Sequence, residues 1–88
     1  MWLGMNEKQV KAEAHNLQTH IKTLTRIMND LDGEVNNIDK SWNGDDSTRF
    51  VNNWRNKEKA QIQASIKFLN SLLTQLNNEI AQQAKTSH

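Results

Sequence analysis

Between Val10 and Trp42 the apolar residues fall at Val10, Ala14, Leu17, Ile21, Leu24, Met28, Leu31, Val35, Ile38 and Trp42, in steps that alternate four and three without a break. Only an α-helix keeps such positions in line, and a repeat of seven holds that line against a partner helix. The seam is narrow, because Ile27 is the one large apolar residue beside it. Asn6 is a suitable N-cap, and Glu7 places a negative charge at the positive end of the helix dipole. Gly33 lies off the seam, where it costs about 1 kcal/mol relative to alanine.

The second half repeats the theme less strictly. Its line runs Phe50, Trp54, Glu58, Ile62, Ile66, Leu69, Leu73, Leu76 and Ile80, beginning in fours and settling into alternation after Ile62. Val51, Phe68 and Leu72 widen this face beyond what one partner helix covers. The pattern fades after Ala84, so the final KTSH is expected to fray. With no proline and three glycines, the chain has too few turn residues for a sheet-rich or loop-rich fold. The expected domain is therefore one all-α, antiparallel helix-turn-helix hairpin over 1–88. Helix 1 spans about 6–41, the reversal 42–45, helix 2 about 46–84, and a tail 85–88. Each helix is roughly 55–60 Å long at about 1.5 Å per residue.

The reversal is the stretch KSWNGDDSTRF. Gly44 takes a positive φ at little cost, as a helix end requires. Asp45 and Asp46 can accept hydrogen bonds from the free amides of helix 2 and suit its dipole, so they are expected to cap it. Trp42 then falls beside the first turns of helix 2, with Phe50 and Trp54 one helical step apart and facing it. Three aromatics at the closed end would bury much area and set the hairpin angle, which gives Trp42 a mainly architectural role.

A lone hairpin of 88 residues with 35% hydrophobic composition leaves the broad face of helix 2 wet. Two hairpins packed as a four-helix bundle cover it. A dimer is expected, held by the seams Leu17, Ile21, Leu24, Met28, Leu31, Val35 and Ile38 on helix 1 and Ile62, Ile66, Leu69, Leu73, Leu76 and Ile80 on helix 2.

These residues resemble a known family. Trp42-Asn43-Gly44 at mid-chain, followed by Asp46, Phe50 and Trp54, is similar to the WXG family of about one hundred residues, the early-secreted-antigen-like (Esx-type) substrates of type VII secretion. The opening GMNEKQVKAEAHNLQTHI also resembles the start of family helix 1. The likeness covers nearly the whole chain in length, helix placement and motif position. It implies a hairpin that forms a homodimeric or heterodimeric four-helix bundle with another WXG-like protein. It also implies export without a cleaved signal peptide, driven by a membrane ATPase of the FtsK/SpoIIIE type. In the family the W-x-G turn sits near the partner's C-terminal tail and forms a composite recognition surface, which makes Trp42, Asn43 and Gly44 the implied signal residues. Many members or their partners also carry a C-terminal Tyr-x-x-x-Asp/Glu signal. This chain has no tyrosine. The nearest frame is QLNNE, Gln75 to Glu79, and Glu79 is its best remnant unless a partner chain supplies the signal.

Other constellations read blandly. His15 and His20 are five apart and do not stack as a metal pair, Glu13 turns another way, and no cofactor is implied. Arg49, Arg55, Lys57 and Lys59 form a basic cluster interrupted by Glu58, and a net charge of +1 supplies no field for nucleic acid. Asp45, Asp46, Ser47 and Thr48 lack the ligand spacing of a calcium loop. No nucleophile–base pair, catalytic carboxylate pair or phosphate loop is present, so no enzyme is expected. The absence of cysteine removes disulfide and thiol chemistry. Met1, Trp2, Leu3 and Met5 form an apolar patch expected to pack at the bundle end rather than to insert stably in a membrane. MWLGM is too short for a signal-peptide core, and no run approaches a spanning helix. The leading expectation is an exported, non-enzymatic protein. The alternatives are a cytoplasmic partner or targeting subunit that completes the bundle of a larger type VII protein, and a coiled-coil hairpin with no link to secretion.

Overall fold

The computed structural model describes residues 6–86, so the patch Met1, Trp2, Leu3 and Met5 and the end residues Ser87 and His88 lie outside the described residues. The described chain is an all-α hairpin extending 66 × 17 × 15 Å. α1 spans Glu7–Ser41, and the returning arm is built of α2 (Asp45–Asn53), a π turn (Trp54–Glu58) and α3 (Lys59–Thr86). Asn6 caps α1, its Oδ1 accepting from the Gln9 amide at 3.1 Å. Lys11 pairs with Glu7 at 2.6 Å across the first turns.

The seam is one-sided. On α1 the buried residues are Ala14, Ile21, Met28 and Val35, every second position of the sequence seam and each seven from the next. The alternate positions are less covered: Leu17 and Leu31 are half-buried, and Leu24 and Ile38 are exposed. The returning arm buries Ser47, Val51 and Trp54 near the reversal. Beyond the π turn, Ile62, Ile66, Leu69, Leu73, Leu76 and Ile80 are only half-buried. Nearest the reversal, Val35, Val51 and Trp54 form a compact cluster, with Leu31 and Ile62 packed against it.

The π turn accounts for the run of fours in the sequence. Trp54 and Ile62 both face α1, yet they are eight residues apart where a heptad allows seven. In a straight α-helix they would diverge by about 80°. The π turn takes up the additional residue, with the Lys59 amide donating to the Trp54 carbonyl, five residues back. Both segments of the arm thereby present their apolar sides to α1.

The flanks of the hairpin differ. One is polar, with Asp32 against Lys59 and Asn36 against Arg55, and with a shallow hollow of about 320 Å³ touched by Lys11, His15, Gln18 and Asn77. The other exposes Leu24, Ile27 and Ile38 of α1 and Phe68 and Leu72 of α3. An open groove of about 440 Å³ runs along it between Leu24 and the Gln61–Ser65 side of the arm.

If the π turn absorbs one residue, deleting Asn56 should leave a continuous α-helical arm in register. Its melting temperature should stay within a few degrees of wild type. Deleting Asn70 instead turns the downstream seam by about 100° and should lower the midpoint by ten degrees or more. Thermal melts followed by circular dichroism make the comparison, and equal losses in both variants would dismiss the register argument.

Candidate functional site at the helix reversal

The reversal takes three residues. Ser41 closes α1, its hydroxyl donating to the Asn37 carbonyl at 3.0 Å. Trp42 leaves the helix with extended backbone (φ −136°, ψ 113°). Gly44 sits at φ 113°, ψ −177°, a region open essentially only to glycine. A Cβ on Gly44 would meet no atom within 4 Å, so backbone conformation, not space, requires the glycine. An L-residue there costs about 1–3 kcal/mol. The positive φ matches the expectation, but the position does not: Gly44 is the N-cap of α2 rather than the end of α1.

Asp45 and Asp46, expected as caps, are the first two residues of α2, and the N-cap makes no side-chain hydrogen bond. Their charges lie at the positive end of the helix, and Asp46 pairs with Arg49 at 2.7 Å. The first backbone bond of the returning arm runs from the Thr48 amide to the Gly44 carbonyl at 3.2 Å. Among the described residues Ser47 is the one polar residue that goes fully inside, donating to Asp39 Oδ1 at 3.0 Å. Its small side chain lets α2 close against α1 directly after the turn.

The three aromatics do not form one cluster. Trp42 and Phe50 meet at a ring separation of 6.0 Å with planes tilted by 52°, and they remain 42% and 41% exposed. Trp54 is 6% exposed and belongs to the Val35–Val51 cluster. Phe50 precedes Val51 by one residue, about 100° around the helix, so it points along the flank while Val51 and Trp54 turn inward. The closed end therefore has an inner tryptophan that packs and an outer one on view beside Asn43, Asp45 and Asp46, all exposed.

Behind Trp54 lies a polar constellation that the sequence reading missed. Its indole Nε1–H donates to Asp32 Oδ1 at 2.9 Å, and Lys59 Nζ donates to Asp32 Oδ2 at 3.1 Å. Arg55 donates to Asn36 Oδ1 at 3.0 Å. The signal was present: Asp32, Asn36 and Asp39 repeat in the same four-three rhythm as the apolar seam, one position round from it. The Trp54 indole hydrogen bond and then the Lys59 ammonium hold the Asp32 carboxyl below its ordinary range.

Glu79 lies exposed on α3, about 34 residues along the arm from Asp45 and so roughly 50 Å from the reversal. One chain does not bring it to Trp42. Among the described residues no three His, Cys, Asp or Glu side chains converge on a metal position, and no helix is long and apolar enough to cross a membrane.

An exposed tryptophan on a glycine-dependent turn, at mid-chain of a two-helix hairpin, defines a class of small helical proteins. A model of the WXG100 family, described as proteins of 100 residues with WXG, matches residues 3–87. No curated protein and no solved structure matches the chain. The chain belongs to the WXG100 family, whose small helical members are associated with type VII secretion and typically pair with WXG-like proteins.

The lowered Asp32 pKa has a definite sign. A carboxylate favoured in the folded state stabilises the protein above its ordinary range and loses that effect as pH falls through the folded value. Asp32→Asn should melt below wild type at pH 7, and the gap should close as pH drops below about 4. Melts from pH 7 to pH 2.5 test it; a gap constant across that range would uncouple Asp32 from the acid response.

Proposed function

We propose that the protein is a type VII secretion substrate that leaves the cell as a folded helical dimer, by a route independent of a signal peptide. The reversal supplies part of its recognition surface. Trp42, Asn43 and Gly44 are the recognition residues, read by an ATPase of the FtsK/SpoIIIE type. Asp45 and Asp46 set the start of α2, and Phe50 supports Trp42. The observation that carries this reading is the half-exposed Trp42 on a turn whose backbone needs Gly44. Burial of Trp54, not of Trp42, holds this end of the hairpin together, which leaves Trp42 free to be read.

The dimer is part of the proposal. The sequence seams are half-covered in one hairpin, and the exposed positions on both arms offer surface for a second WXG-like chain. An antiparallel bundle would bring the partner's α3 end, with its Glu79 or an equivalent acid, to the reversal. The tyrosine-free sequence favours a second reading in which a partner supplies the tail signal. In that reading the chain acts in the cytoplasm as the targeting subunit of a larger type VII protein.

Two tryptophan variants separate display from packing. Trp42→Ala should keep its helicity, lose only a few degrees of melting temperature, and fall about tenfold or more in the culture medium. Trp54→Ala removes a buried ring, costs about 3–5 kcal/mol and should lower the melting midpoint by ten degrees or more. Quantifying supernatant against cell pellet beside thermal melts decides the matter. Undiminished export of Trp42→Ala would refute the recognition role, and wild-type protein retained in the cell would favour the targeting subunit.

A further inference from the structure

We propose that Asn43 is a site of spontaneous covalent modification, and that its deamidation sets a time limit on the reversal as a recognition surface. The modification stands on the geometry of the turn. The time limit rests on the proposed reading of Trp42, Asn43 and Gly44 as recognition residues.

The chemistry is intramolecular. The Gly44 backbone nitrogen loses its proton and attacks Asn43 Cγ. A nitrogen–carbon bond forms, the Cγ–Nδ2 bond breaks, and the amide nitrogen leaves as ammonia, taking up the proton. A five-membered succinimide ring is left. Water opens that ring at either carbonyl. One opening gives aspartate, and the other gives isoaspartate, with the main chain rerouted through Cβ and Cγ. One water is consumed and one ammonia released, with no other reactant. The reaction needs a backbone nitrogen free of hydrogen bonds, a carboxamide free to turn toward it, and no bulk on the following residue.

The reversal meets all three needs. Asn43 is exposed and lies between α1 and α2, outside both. Among the described residues neither its carboxamide nor the Gly44 N–H makes a hydrogen bond. The bonds of the turn go instead to the Gly44 carbonyl, from the Thr48 amide at 3.2 Å and the Thr48 hydroxyl at 3.4 Å. Gly44 has no side chain, and the space about its Cα is open, since a Cβ there would meet no atom within 4 Å. As the N-cap of α2, Gly44 holds its nitrogen at the positive end of a helix, which favours the anion that attacks.

The rest of the chain lacks this combination. Asn6 is committed to capping α1. The remaining asparagines lie in helical segments, where the following amide is spent in the backbone ladder and the following residue always carries a side chain. Asp32-Gly33 could close the same ring, but it lies inside α1 with its carboxylate held by Trp54 and Lys59.

Either product places a carboxylate at position 43, beside Asp45 and Asp46, and removes the single net positive charge of the chain. Isoaspartate also lengthens the main chain by one atom directly after Trp42, which disturbs the Trp42–Phe50 contact at 6.0 Å. The cluster of Val35, Val51 and Trp54 lies apart from the turn. An aged chain therefore keeps its fold and loses its original recognition surface.

Trypsin makes the test direct, because Ser41–Arg49 is released with Asn43 as its only asparagine. Purified protein aged in mildly alkaline buffer should yield this peptide one mass unit heavier, split into aspartate and isoaspartate forms. Peptides carrying the other asparagines should stay unchanged. The folded protein should convert at a rate within about tenfold of the synthetic Ser41–Arg49 peptide, because so open a turn gives little protection. Asn43→Gln should keep wild-type helicity and show no shift. Stronger protection in the folded protein, or conversion of another asparagine at an equal rate, overturns the modification. The time limit is read in cells whose secretion ATPase is depleted, held, and then restored. The converted fraction of Ser41–Arg49 should be several-fold higher in the cell pellet than in newly exported protein. Equal fractions, with Trp42→Ala still retained, sink the time limit alone. Export of Trp42→Ala at the wild-type level sinks the recognition reading and leaves the conversion of Asn43 standing.

Discussion

The hairpin depends on a contact one residue wide. Ala14, Ile21, Met28 and Val35 are the buried residues of α1, and a column repeating every seven residues has a weakness. Sliding one arm by a heptad matches apolar to apolar again, so the seam fixes the angular facing of the arms better than their register. Polar contacts remove that degeneracy, because each needs a named partner at a set level. Asp39 with Ser47, Asp32 with Trp54 and Lys59, and Asn36 with Arg55 all lie in the half nearest the reversal. The short turn and these contacts define register from one end. The rest of the shaft inherits it while leaving its apolar residues half-covered.

The two tryptophans of the reversal divide the work accordingly. Trp54 places its ring among Val35 and Val51 and its indole N–H on Asp32, so both its apolar body and its polar edge are satisfied within the hairpin. Trp42 touches Phe50 and keeps much of its ring in water. A tryptophan adds little stability when this exposed, and Gly44 imposes a backbone that other residues resist. The pairing is hard to explain by the needs of one hairpin, which is why the proposed role for Trp42 looks outward.

Much of this was legible in the sequence. The heptad line predicted both long helices, Asn6 announced the start of α1, and Gly44 announced a positive φ. Periodicity reports which residues share a side, not how far a neighbour covers that side, so Leu24 and Ile38 read like Met28 and Val35 although only the latter pair are buried. The grouping of Trp54 with Trp42 and Phe50 treated spacing along one helix as proximity, whereas the closed hairpin draws Trp54 inward to Val35 and Val51 and leaves Trp42 and Phe50 together on the outside. The Asp32 constellation escaped because its members are 22 and 27 residues apart. Only the closed hairpin shows which acid a given base or indole will meet.

The π turn joins these themes. The fours between Phe50 and Ile66 looked like a loosened seam, but they record one residue more than a heptad holds. Had the arm remained a plain α-helix, Trp54 or Ile62 would have faced away from α1 by about 80°. Either the inner cluster or the shaft would then have opened. The additional residue sets the angular phase of everything beyond Lys59, including the exposed Phe68 and Leu72. Phe68 lies on the same flank as Leu24 and Ile27 because of that phase. The packing of Trp54 under the reversal and the make-up of the exposed apolar flank are therefore coupled through a single inserted residue. A sequence change that removed the π turn while keeping Trp54 buried would have to move the apolar seam by one position along the whole of α3.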